Sequence, residues 1–226
     1  CAAAVAAYNM FALRMEGGAF ASGKEARTRW TQLLSENGPS ASLLGVQTVR
    51  NSLMSSSFMA STSALLAVTF LGIALDGDRV SQAQSLARHD VLVTSGRGIP
   101  GQTKLAVCFV VAFAASLLFT QSIRALNHLS VWIRIAASPR AHGSAPDEKD
   151  VAVCTLLVTR SQHFFSVGHR LLYAIVPCSL WVLGPTAMVV GAIVVLVLQW
   201  QTDRVDVPSP ATPIMDVVNG EPLPPV

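Results

Sequence analysis

The chain is written as long apolar runs separated by shorter polar ones. From Leu171 to Thr202 no charged residue occurs for 32 positions, enough helix for about 48 Å against a hydrocarbon core of about 30 Å. Asn51 to Leu75 and Leu105 to Ile123 are also free of charge. Cys1 to Leu13 is charge-free and Ala-rich but too short to cross alone, so it reads as the end of a first transmembrane helix whose beginning lies upstream. These runs predict an all-α integral membrane helical bundle of about four transmembrane helices, at about 1–13, 42–75, 103–135 and 163–202. The bundle occupies 1–203, and 204–226 is a Pro-rich extramembrane tail. The last run contains Pro177 and Gly184-Pro185. Split at Gly184, its halves are short for two crossings, which favours one long, tilted, Pro-kinked crossing over a re-entrant pair.

Polar segments fill the gaps. Lys24 to Glu36 has helical spacing with Trp30, Leu33 and Leu34 on one side, a surface helix for the headgroups or for a partner. Asp76 to Lys104 is a polar loop with a short helix around Arg79 to Arg88, and its GRGIPG lacks the strand and GK[ST] of a phosphate loop. Ser138 to Asp150 is a flexible loop by composition, and Val151 to Arg160 leads helically into the last span. The tail from Asp203 has six prolines and four acids against Arg204, and it needs something outside this chain to hold it.

Composition agrees with the pattern. The 226 residues are 51% hydrophobic and 13% charged, where soluble domains carry about 25% charged residues. A formal charge of +3 gives no support to nucleic-acid binding. Four scattered cysteines without a CxxC pair read as small packing residues, with no disulfide framework and no metal site. The first residue is not Met, which fits an organellar or exported membrane protein; a thylakoid or mitochondrial inner membrane is favoured over the plasma membrane.

Four crossings place Lys and Arg at 14, 24, 27, 29, 50, 124, 134, 140, 149, 160 and 170 on one side, and at 79, 88, 97, 104 and 204 on the other. The positive-inside rule turns the first side to cytosol, stroma or matrix, with both termini opposite. Trp132, Tyr173 and Trp200 suit interfacial positions. Ser56, Ala60 and Ala64 form a small-residue face for close helix packing, and Gly184 and Pro185 are taken as packing positions too.

Three polar faces gather on the positive side: Arg50 and Asn51; Arg124, Asn127 and His128; Arg170 and Tyr173. None contains a carboxylate. Arginines without acid partners, two of them near helix N-termini, make an anion site for a lipid phosphate, a carboxylate, or a pigment or quinone headgroup; the plainer reading is snorkelling to headgroups. The histidines lack zinc spacing and suit interfacial hydrogen bonding better than a metal or a chlorophyll magnesium. No Ser/His/Asp order, paired intramembrane carboxylates or HExxH pattern points to catalysis.

Three blocks, QTVRNSLMSSSFMAST (Gln47 to Thr62), SIRALNH (Ser122 to His128) and FSVGHRLLYAIVPCSLWVLGP (Phe165 to Pro185), resemble the family called domain of unknown function 599, of plants, algae and bacteria. The resemblance carries over to Arg50 and Asn51, to Arg124, Asn127 and His128, and to Gly168, Arg170, Tyr173, Pro177, Trp181, Gly184 and Pro185. It implies a multi-span membrane protein and no established activity. The leading expectation is a non-enzymatic accessory or scaffold subunit of a larger membrane complex, an organellar photosystem or respiratory assembly. Its partners are membrane lipids and other membrane-protein subunits, met through the small-residue faces and the tail. Lipid is the expected bound group, with chlorophyll or carotenoid in a photosystem. The alternative is a small anion or metabolite transporter or channel using the arginine cluster, and a lipid- or quinone-modifying enzyme ranks third.

Overall fold

The computed structural model describes residues 19–36, 38–87, 99–136 and 148–203. Its elements are all helices: α1 Ala19–Glu36, α2 Gly38–Leu75, α3 Gly77–Ala87, α4 Gly101–Ala136, α5 Glu148–Leu183 and α6 Pro185–Asp203. Four of them, α2, α4, α5 and α6, are long and apolar enough to cross a membrane. The all-α membrane architecture is therefore as expected. The first helix expected at 1–13 and the tail at 204–226 lie outside the described residues.

α4 is the hub. Its buried stripe, Leu105, Cys108, Ala112, Ala115, Phe119, Ser122, Leu126, Leu129 and Ile133, recurs every three or four residues, which is one face of a helix. α2 packs on one flank of that stripe and α5 on the other. Small residues permit the α2 approach: Ser56, Ser63 and Ala67 are buried, and Ser116 Oγ donates to the Ala60 carbonyl at 3.3 Å. α1 closes one end, where Leu34 joins Val49, Leu126, Ile133, Cys154 and Val158, and Thr31 Oγ1 meets Thr155 Oγ1 at 2.6 Å. The surface helix expected at 24–36 thus docks on this chain's own bundle through Trp30 and Leu34, while Leu33 stays outside. α3 closes the other end through Val80, packed with Leu105 and Val182. Asp76 caps it, accepting from the Arg79 amide at 3.3 Å.

The last expected crossing needs correction. Residues 163–202 are not one kinked helix but parts of two antiparallel ones. Gly184, at φ 151°, separates α5 from α6 in a backbone region that favours glycine, and Pro185 takes the first position of α6, where no amide proton is needed. α6 then folds back along α5. A Cβ on Gly191 would collide with Leu180 and lie 3.6 Å from the Pro177 Cα, and Arg170 Nη2 stands 2.7 Å from Asp203 Oδ1. Two crossings fit because α5 begins at Glu148, far before the charge-free run, and is 36 residues long. The C-terminal end of α6 accordingly runs back toward the α1 end, opposite to the side expected for it, and meets α5 at Arg170.

Candidate functional site

Helix lengths undo the electrostatic premise of an arginine site. Arg50 lies 12 residues into α2, Arg124 lies 12 residues before the end of α4, and Arg170 lies 22 residues into α5. A helix dipole acts within the first or last turn, so none of these arginines sits at an end of its own helix, and Arg170 instead meets Asp203 at the C-terminal end of α6. Charge-free runs mark the hydrocarbon crossing, whereas the helices themselves run on beyond it. Arg50 and Asn51 are exposed on α2, and Arg124, Asn127 and His128 share the exposed face of α4, turned away from its packed stripe. Arg170 is half-buried, and its guanidinium donates to the Asp203 carboxylate. The polar faces therefore do contain an acid, one that joins Arg170 from 33 residues away.

Tyr173 is exposed at the edge of an aromatic cluster. Its ring is 5.7 Å from that of His169, which lies 5.0 Å from Phe165 and 6.0 Å from Phe119, and Phe119 is wholly buried. Gly168 allows this: a Cβ there would stand 3.0 Å from the Phe119 ring. His169 Nδ1 is buried without a hydrogen-bond partner.

The geometry instead collects neutral polar groups between α2 and α5. Asn51, Ser52, Ser55 and Ser56 from α2 and Gln162 and Phe165 from α5 line a cleft of about 320 Å³. Behind it runs a chain of hydroxyls, Ser56 Oγ to Ser122 Oγ at 3.4 Å and Ser122 Oγ to Ser161 Oγ at 3.1 Å, one serine from each of three helices. All three serines are buried. The cleft sits just inside the charge-free stretch of α4, whereas on α5 Arg170, paired with Asp203, lies eight residues beyond Gln162. On α4 the charged residues bounding that stretch, Lys104 and Arg124, are 20 residues apart, about 30 Å of helix, the thickness of a hydrocarbon core. Ser122 is two residues inside that edge and Gln162 two residues past Arg160. Of the expected ligand set only Asn51 lines the cleft. Ser122, Ser161, Gln162 and Phe165 were not singled out by sequence reasoning. A polar pair, Ser161-Gln162, was readable, but the face it presents was not.

Of the expected packing residues, Ser56 and Ala60 face α4, Ala64 is half-buried, and Gly184 and Pro185 form the α5–α6 turn. The turn is braced from α4. Pro185 has no amide proton to give the Trp181 carbonyl four residues back, and Lys104 Nζ donates to that carbonyl at 3.0 Å while lying 5.4 Å from the Trp181 ring centre. Among the described residues no group of three or more His, Cys, Asp or Glu side chains is placed to hold a metal ion.

A family model described as a protein of unknown function, DUF599, matches residues 2–207. No curated protein and no solved structure matches the chain.

Proposed function

The chain belongs to the DUF599 family, and from that footing we propose that it serves as a non-catalytic subunit of a larger membrane assembly, docking through the outer face of α2. One observation carries this reading. α2 gives α4 a single narrow face, and its opposite face, with Phe58, Leu65 and Val68 each about two-thirds exposed, is covered by none of the described residues. Ser61 and Gly72 lie on that uncovered face, 11 residues or about three turns apart. A Cβ on Gly72 would meet nothing within 4 Å. Lipid supplies no hydrophobic drive between helices, so small residues on an outer face favour close approach by another helix. The proposal includes an organellar membrane, thylakoid or mitochondrial inner. Arg50, Arg124, Arg134, Lys149 and Arg160 lie toward the α1 end and Arg79 and Lys104 toward the α3 end, which directs the α1 end to stroma or matrix.

Native purification in mild detergent with cross-linking mass spectrometry tests it. A membrane-protein partner cross-linked along α2 and released by Ser61→Trp or Gly72→Trp is expected. A monomer without partners, or a partner unaffected by both substitutions, contradicts it.

A small anion or metabolite transporter is the second reading. The Arg170–Asp203 pair favours it, because ionisable groups at membrane depth commonly mark transport pathways. It requires anion flux into liposomes that Arg170→Ala abolishes in inserted protein. Absence of flux from the unaltered chain disposes of it.

A further inference from the structure

The cleft between α2 and α5 has a composition that selects its ligand. Its described lining residues are Asn51, Ser52, Ser55, Ser56, Gln162 and Phe165, so among the described residues no charged group lines it, and an ionised ligand would enter without a counter-charge from them. Ser, Asn and Gln each both donate and accept hydrogen bonds. That capacity matches hydroxyls, which do the same, better than carbonyls, which only accept. Phe165 supplies an apolar wall for the C–H face of a ring. About 320 Å³ lies at the low end of small-molecule sites, about 300–1,000 Å³, which suits one headgroup and not a pigment.

The hydroxyl chain behind the cleft makes a second, independent argument. Ser56, Ser122 and Ser161 carry three hydroxyl protons and share two contacts, with no backbone acceptor for any of them among the described residues. One proton is therefore left over, and because either oxygen can donate in each contact, Ser56 is able to carry it. Ser56, 1% exposed, is the end of the chain that lines the cleft. A buried donor in an apolar slab is costly unless it meets an acceptor. Asn51 and Ser55 are exposed at the rim, so the cleft opens sideways toward the bilayer near its arginine-bearing edge.

We propose that this cleft binds an uncharged, hydroxyl-rich group, the sugar headgroup of a glycolipid or a free polyol, by hydrogen bonds to Asn51, Ser55, Ser56 and Gln162 and by packing on Phe165.

The test uses the full chain in nanodiscs of phosphatidylcholine doped with glucosyl diacylglycerol or, separately, phosphatidic acid, with retained lipid read by native mass spectrometry. Glucosyl diacylglycerol is expected to be retained at least about 10-fold over both phospholipids, and Asn51→Leu and Gln162→Leu each to lower that preference by about 10-fold. Thr120→Val, on the exposed face of α4, leaves it unchanged. Ser55→Ala, a rim substitution that spares the core, lowers it about 3-fold and covers the case in which a Leu variant fails to fold. Methyl glucoside that displaces the lipid identifies a free polyol as a ligand; failure to displace it assigns the site to the lipid headgroup. Equal retention of all three lipids, or a preference unmoved by the cleft substitutions, overturns the proposal.

Discussion

Arg170 and Asp203 are 33 residues apart in sequence and 2.7 Å apart in space. The pair joins α5 to the far end of α6 and accounts for a charged residue inside a span. An arginine at membrane depth is expensive unless paired, and here its partner ends the next helix. The side chains are 15% and 30% exposed. Removing either charge, by Arg170→Leu or Asp203→Leu, is expected to cost roughly 2–3 kcal/mol, below the 3–5 of a fully buried pair because Asp203 retains contact with the surroundings. The double variant should recover most of the loss, and a double-mutant cycle on unfolding in bicelles measures it. Additive losses would mean that the two charges act independently.

Lys104 repairs the carbonyl that Pro185 leaves without its helical partner. Lys104→Met should cost about 1–2 kcal/mol and loosen the α5–α6 turn, and Lys104→Arg should recover part of it. Hydrogen–deuterium exchange over residues 180–188 reads the effect. Unchanged exchange in Lys104→Met would remove this role.

Gly168 sets α5 against the Phe119 ring of α4, which a Cβ there would meet at 3.0 Å. The neighbouring Phe119 is 0% exposed and its ring has nowhere to retreat. Gly168→Val is expected to destabilise by about 1–3 kcal/mol through overpacking. Phe119→Leu in the same chain should relieve much of it, as measured by thermal unfolding in detergent.

Ser122 is the middle member of the hydroxyl chain, and Ser122→Ala strands Ser56 and Ser161 together. A loss of about 1 kcal/mol is expected, in keeping with interhelical hydrogen bonds in membranes. Ser130→Ala, whose hydroxyl bonds its own helix at the Asn127 carbonyl, should be close to neutral.

Two spans were legible because their information is local. Expected at 42–75 and 103–135, they are found at Gly38–Leu75 and Gly101–Ala136, since unbroken apolar runs fix them. The short helix near Arg79 was legible for a similar reason, lying at Gly77–Ala87. α5 was misread because Arg160 and Arg170 interrupt its apolar pattern, and what makes Arg170 tolerable comes from another helix. Length counted from Leu171 then left too little chain for two crossings. The cleft was half legible. Asn51, Ser55 and Ser56 lie in a conspicuously polar stretch of α2, but nothing local says that Gln162 and Phe165 stand opposite them.

The return of α6 toward the α1 end is the feature on which the topology and the Arg170–Asp203 pair both depend. It is tested most directly by single cysteines at Glu148, Gln201 and Asp78 in a chain with its native cysteines replaced, labelled with a membrane-impermeant maleimide in sealed, oriented vesicles. The hairpin predicts that Gln201→Cys labels from the same side as Glu148→Cys and that Asp78→Cys labels from the other. Labelling of Gln201→Cys together with Asp78→Cys would contradict it.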